Sequence, residues 1–285
     1  MYIYIYIYIY MISKRGLTTY IKVNGIILLT STASYYSTQI TGNVLFDLLK
    51  IFFAFIIRNY ILLYIVNKSN ENKKRICEEY KVIEHYPHEF DIHLIQTAFI
   101  ETFAYYSMVT YFYQTFFTPS YSNTEIIYFI PLSFYYEVVF DFFFYWGHRY
   151  MHTNSYLYQT VHKHHHVYSH PIAILTFYQK PIEIIATNVI PNILTVLLCP
   201  RMTLFEYDII KNYMLFNEIA GHRGCCSFPT PGFPQFIWLP NFLRIGLYVE
   251  DHDLHHSHNN CNYSKRFSLW DKAFGTYIPA KHSIE

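Results

Sequence analysis

The chain has 285 residues, of which 52 % are hydrophobic, 21 % aromatic and only 14 % charged; soluble domains carry roughly 25 % charged residues, so disorder is excluded and contact with lipid is indicated. Lys and Arg number 21 against 20 Asp and Glu, and a net charge of +1 leaves no basic surplus for a nucleic-acid partner. Five cysteines form no C-x-x-C pair, which excludes a disulfide framework and a thiolate zinc site.

Mean hydropathy is only +0.10, because the 31 tyrosines score as polar although their rings favour membrane interfaces. In chain order, residues 1–10 alternate Tyr and Ile too regularly for a packed strand, and residues 1–40 read as a low-complexity, variable N-terminal extension with Met11 as an alternative start. Lys14 and Arg15 follow the apolar run instead of preceding it, unlike a signal peptide.

Four segments approach the roughly 20 apolar residues that a bilayer-crossing helix needs: 44–66, 92–117, 126–146 and 182–198. The apolar run 203–220 forms a helical hairpin with the last of them around Cys199, Pro200 and Arg201. The expected fold is therefore all-α and polytopic, with about four transmembrane or re-entrant helices. Asp47, Lys50, Arg58, Glu101, Glu137 and Asp141 lie inside these spans. At mid-bilayer each costs roughly 2.5 to 3.5 kcal/mol, so some must face protein or the interface. The loop 67–89 holds Lys68, Lys73, Lys74, Arg75 and Lys81, whereas 118–125 holds no base, which puts the first loop in the cytosol. Counting spans from there brings every histidine cluster to that same face.

Of 16 histidines, 12 fall between His148 and His258. Three groups recur at helical spacing: His148 and His152; His162, His165 and His166; His252, His255 and His256. Side chains three and four apart share a helix face, so each group aims its imidazoles at one point. His222 stands alone in Ala220-Gly221-His222-Arg223-Gly224 at the end of the hairpin. Such a number exceeds what one metal uses and suits two, and nitrogen ligands with open positions suit iron that must bind dioxygen. His164 lies off the shared face and reads as filler; His170 and His258 lie outside the repeated spacing; His85, His88, His93 and His282 read as surface residues. Because a ligating ring usually donates its other N–H to a carboxylate or carbonyl, Asp141, Glu218, Asp251, Asp253 and Asp271 are the candidate acceptors. For Asp141 and Glu137 the competing reading is an ion pair with Arg149.

These stretches carry a resemblance. Asp141-Phe-Phe-Phe-Tyr-Trp-Gly-His148-Arg-Tyr-Met-His152, then His162-Lys-His-His165-His166, then His252-Asp-Leu-His255-His256 resemble the histidine boxes of the fatty acid hydroxylase and sterol desaturase superfamily. Cys261-Asn-Tyr263 and Trp270-Asp271-Lys-Ala-Phe-Gly275-Thr276 are most similar to the cholesterol 25-hydroxylase and C4-methylsterol oxidase branch. The resemblance covers about residues 126–279.

The resemblance implies an integral-membrane oxygenase of lipid C–H bonds, with a helical anchor under a cytosolic cap. It implies two iron ions, O2 as co-substrate and electrons from NAD(P)H through a partner such as cytochrome b5 or its reductase. On that basis 41–125 is an N-terminal transmembrane hairpin and 126–285 the catalytic region. The implied metal ligands are His148, His152, His162, His165, His166, His252, His255 and His256, with His222 matching the lone histidine of the family. The implied location is the endoplasmic reticulum membrane. Two departures stand out: Lys180-Pro-Ile-Glu183 replaces a His-Pro-x-Glu element, and Cys225 and Cys226 replace an aromatic residue.

Phosphate loops, a nucleophile elbow and a dinucleotide fingerprint are absent from the sequence, in keeping with reducing power that arrives from a partner. Hydroxylation of a sterol-like substrate leads; a fatty-acyl hydroxylase and a sterol desaturase are the alternatives inside the superfamily. A histidine-rich metal transporter and a catalytically inactive scaffold are the alternatives outside it. Transport ligands would sit at mid-bilayer, whereas these clusters lie beyond the ends of the apolar spans.

Overall fold

The computed structural model describes residues 14–71, 73–78, 88–118, 125–227 and 232–280. The Tyr-Ile repeat, His85, His282, Lys81 and most of the 118–125 loop lie outside the described residues, as does the side chain of His88. Within them the chain is mostly helical. The long helices are α1 (Lys14–Ser37), α2 (Val44–Asn70), α3 (His88–Tyr111), α4 (Glu125–Thr153), α5 (Pro181–Leu198), α6 (Leu204–Gly221) and α7 (Val249–His258).

Local chemistry sets the helix ends. Asn43 caps α2 by accepting from the Phe46 amide, while the buried Asp47 carboxylate accepts from the Thr41 and Gly42 amides and ties the preceding turn down. Thr203 and Glu206 form a reciprocal capping box at the start of α6. Pro181 opens α5, where its missing N–H costs no helical bond. Asn259, at φ +62°, ends α7 in the left-handed conformation and donates its N–H to the His255 carbonyl.

Two helices among the described residues, α2 and α5, are long and apolar enough to cross a membrane. Of the other two expected spans, 126–146 lies within α4, whereas 92–117 is helical to Tyr111, continues as a short helix over Tyr113–Phe116 and ends in the strand Phe117–Thr118. Both carry acids, Glu101 in α3 and Glu137 and Asp141 in α4. The charges are absorbed by protein: Arg58 Nη2 is 2.7 Å from Glu101 Oε2, Asp47 Oδ1 is 3.2 Å from Lys50, and Glu137 Oε2 is 2.6 Å from Arg266 Nη2. Arg149 is not the partner expected for the α4 acids; it donates to the Tyr145 hydroxyl and lies over the Tyr145 and Trp146 rings. Nothing local in the sequence pairs Glu137 with a residue 129 positions away.

Helix α1, inside the stretch expected to be a variable extension, packs along α6 and buries Ile27 against Ile209 and Tyr213. Its Asn24 accepts from the Tyr213 hydroxyl and its Tyr20 donates to the Gln235 carbonyl. Helix α2 packs on α3, and α4 on α5. A large core cluster between them includes Ile51, Tyr105, Phe117, Tyr136, Phe144 and Ile210. The hairpin of α5 and α6 is closed by Met202–Thr203, which pairs in parallel with Phe117–Thr118. A second core cluster, with Leu62, Phe90, Leu175, Phe177 and Ile219, supports the turn Ala173–Phe177 next to the histidines.

Candidate metal centre

The histidines converge from four elements. Helix α4 ends with His148 and His152 one turn apart. A tight 3-10 helix, His162–Val167, follows and carries the second group. The expectation of an α-helix there is corrected: at three residues per turn His162 and His165 eclipse, and His166 lies beside them. Helix α7 brings His252, His255 and His256, and the C-terminus of α6 delivers His222.

Two adjoining groups result. Ligand nitrogens of His148, His152, His162, His166 and His255 all lie within 4.8 Å of one another, and so do those of His165, His222 and His256. His252 Nε2 stands 3.1 Å from His222 Nε2, at the edge of the second group. The groups touch through the stacked His166 and His256 rings, 4.5 Å apart between centroids. All nine residues named as ligands by the resemblance are thus in one place. His164 points away and stacks on Tyr178 at 4.0 Å. His93 lies outside too, with Nδ1 on the Gln179 carbonyl. His170 pairs with Asp253 at 2.8 Å, and His258 contacts Ser257.

Backbone carbonyls hold the far nitrogen of three rings. His148 Nδ1 donates to the Tyr263 carbonyl and His255 Nδ1 to the Cys261 carbonyl, each at 2.7 Å. His222 Nδ1 lies 2.9 Å from the Glu218 carbonyl and 2.7 Å from the Thr176 hydroxyl. Among the described residues only His162 uses a carboxylate, Glu183 Oε1, at 2.7 Å. Where a carbonyl takes the Nδ1 proton, the Nε2 lone pair is left facing the centre of the group.

The acids expected to hold rings are employed one step further out. Asp141 accepts from the amides of Lys265, Arg266 and Phe267, and Asp271 from those of Tyr263 and Ser264. Together they fix the loop whose carbonyls hold His148 and His255. Asp251 accepts from the Tyr248 and Ala280 amides. Asp253 holds His170, outside the groups, and the Glu218 carboxylate faces Lys265 at 3.4 Å. Carbonyl acceptors have no side-chain signature, so sequence spacing favoured the acids. Glu183 carried a usable signal, the Pro-x-Glu of its element. Lys180 at the head of that element donates to the Thr160 carbonyl, outside the groups.

Burial, followed by neighbouring imidazoles, drives the pKa values of His148, His165, His166, His252 and His256 well below the ordinary imidazole value. Burial also lowers His222 and takes His255 down to about 3. Burial thus favours the neutral form in these seven rings, the form that binds metal. The residues fit a metal on independent grounds as well. His162 Nε2 lies 3.0 Å from His148 Nε2, 2.8 Å from His152 Nε2 and 3.0 Å from His166 Nε2, and His255 Nε2 and both nitrogens of His256 are buried without a hydrogen-bond partner. Each such orphan costs about 1–3 kcal/mol unless something accepts its lone pair.

The chain is mostly helical, two of its helices are long and apolar enough to cross a membrane, and its two joined sets of imidazoles could hold metal ions. The Fatty acid hydroxylase family model matches residues 133–276, which include every histidine of the two groups; the chain belongs to that family. It is 30 % identical over 148 residues to a fatty acid hydroxylase of Lecanicillium sp, covering 50 % of this chain and 40 % of the relative. It is 30 % identical over 151 residues to the cholesterol 25-hydroxylase of Homo sapiens, covering 50 % and 52 %. It is 34 % identical over 141 residues to a very-long-chain aldehyde decarbonylase of Oryza sativa, covering 48 % of each. The chain spans about half the length of the curated relatives it matches. No solved structure matches it.

Proposed function

We propose that the protein is an integral-membrane, O2-dependent non-haem di-iron oxidoreductase that hydroxylates a C–H bond of a sterol-like lipid. The observation that carries this reading is the pair of adjoining, mostly buried imidazole groups, whose ligand nitrogens lie within 4.8 Å of one another in each group. One iron would be held by His148, His152, His162, His166 and His255, the other by His165, His222 and His256 with His252 beside them. Bound iron supplies the oxidising power towards an unactivated C–H bond that side chains lack.

The chain's own residues do the rest. Tyr263, Cys261 and Glu218 carbonyls and the Glu183 carboxylate orient the rings. Phe144 packs against His148, and the cluster around Leu175 and Phe177 closes the site beneath His222, so water is kept away. The overall change takes a lipid R–H, one O2, two electrons and two protons to R–OH and water. The electrons come from NAD(P)H through a partner such as cytochrome b5 or its reductase. The fold proposed around this site has about four membrane-embedded helices, 41–125 as the transmembrane hairpin and 126–285 as the catalytic region. The histidines lie on the cytosolic face of the endoplasmic reticulum membrane. The sterol-like substrate is favoured by similarity to the cholesterol 25-hydroxylase and by the motif following the last box.

The experiment is a mass-spectrometric lipid profile of sterol-containing cells that express wild type or His255→Ala/His256→Ala at equal levels, together with the iron content of anaerobically purified protein. A lipid that gains one oxygen only with wild type is expected. Loss of two hydrogens would redirect the reading to desaturation, and protein without iron would overturn it.

A further inference from the structure

The helix bundle holds a charged cavity that the proposed chemistry does not employ. It lies between α2, α3, α5 and α6 and has a volume of about 70 Å³, room for roughly five water-sized groups. Arg58, Glu101, Asp208, Lys211 and Glu218 line it. Ionisable side chains among membrane-embedded helices are expensive, so each needs a partner or a task.

Three have partners: Arg58 pairs with Glu101, and Glu218 faces Lys265. The other two, Asp208 and Lys211, sit on one face of α6 at a spacing of three residues. Asp208 receives only a long hydrogen bond, 3.4 Å, from the Tyr105 hydroxyl. Lys211 makes no hydrogen bond or ion pair among the described residues; its Nζ lies 5.6 Å from the Phe140 ring centroid. The facing wall is a π turn, Ile185–Val189, whose wider winding presents Asn188 to the cavity beside Asn192. Such turns are frequent at functional sites.

We infer that this cavity binds the hydroxyl group of a membrane lipid, with Lys211 Nζ donating to its oxygen and the Asp208 carboxylate accepting its proton. A hydroxyl serves one donor and one acceptor at once. A hydrocarbon would leave Lys211 without a hydrogen bond and Asp208 with only the long one from Tyr105. The lining runs along α6 from Tyr207 to Glu218, about 16 Å of helix, and Glu218 is one turn short of His222. A cavity this small holds the hydroxyl end of the lipid, and its lining points from Asp208 and Lys211 toward the histidines. In making that lipid the substrate, the inference rests on the oxygenase reading; in assigning the anchor it does not. Sterols and long-chain alcohols share the required chemistry.

The test is equilibrium binding to the full chain in nanodiscs, read without turnover. The probes are cholesterol against 5-cholestene, which lacks the hydroxyl, and octadecanol against octadecane and octadecanoate. At least one alcohol is expected to bind about tenfold more tightly than its hydrocarbon counterpart, and Lys211→Met or Asp208→Asn to erase that preference. Which alcohol is preferred separates a sterol from an acyl chain. Absence of any alcohol preference in wild type overturns the inference without recourse to a variant, as does tightest binding of octadecanoate or a preference that survives both substitutions. Alcohol preference in a protein that oxidises no lipid leaves the anchor standing and sinks the oxygenase reading. Lipid oxidation with no alcohol preference does the reverse.

Discussion

Glu183 Oε1 stands 2.7 Å from His162 Nδ1, and each side chain is 1 % exposed. Helix α5 therefore reaches back to the 3-10 helix and sets the orientation of one central imidazole, the only ring of the two groups that a carboxylate holds directly among the described residues. Loss of a partner of this kind lowers metal affinity or activity by about 10 to 100-fold. We expect Glu183→Gln to insert normally and to lose iron and lipid oxidation within that range, as measured by metal analysis and product yield. Wild-type iron retention in the variant would remove Glu183 from the site.

Removal of imidazoles inside and outside the groups should differ in kind. His255→Ala/His256→Ala removes one ring from each group, and is expected to abolish lipid oxidation and lower bound metal while leaving membrane insertion intact. His164→Ala removes a ring that stacks on Tyr178 and should retain metal and activity. Equal loss from both would show that the facing histidines are misassigned.

The metal-free protein should be acid-sensitive. Burial holds the folded-state pKa of these histidines below the ordinary 6.5, to about 3 for His255, so below pH 6.5 the unfolded chain binds more protons than the folded one. Stability is unaffected by these groups above pH 6.5 and falls as the pH drops from there toward the folded-state values, by up to about 1.4 kcal/mol per pH unit per histidine. Thermal unfolding of metal-free protein from pH 7.5 to 5 should show a falling Tm, with a shallower slope for His255→Ala/His256→Ala. A slope the same in both proteins would place the acid sensitivity elsewhere.

The pair of Glu137 and Arg266, at 2.6 Å and almost fully buried, joins α4 to the loop that holds His148 and His255. Removing one partner strands a buried charge, which costs about 3 to 5 kcal/mol. Glu137→Ala should lower the denaturation midpoint accordingly and release metal, whereas Lys68→Ala, which breaks the exposed pair with Glu71, should leave both unchanged.

The histidine spacing made the site legible because three- and four-residue periodicity is local: it tells which side chains share a face before any tertiary contact forms. His148 with His152, and His252 with His255 and His256, lie on helices as that periodicity requires. The second group misled on helix type, since 3-10 and α windings both bring residues three and four apart together over one turn. The acids misled for a different reason. Asp141 and Asp271 do serve the rings, but through amides of the 263–267 loop and not by touching imidazoles.

Composition, apolar runs and the histidine boxes determined that this chain is mostly helical, has helices apolar enough to cross a membrane and gathers imidazoles that could hold metal. Only the tertiary structure decided that five rings form one group and three the next, that Tyr263 and Cys261 carbonyls set their orientation, and that Glu137 belongs to Arg266. These last relationships join residues far apart in the chain through backbone atoms that every residue possesses, or through charges whose partner is fixed by packing. No local pattern encodes them.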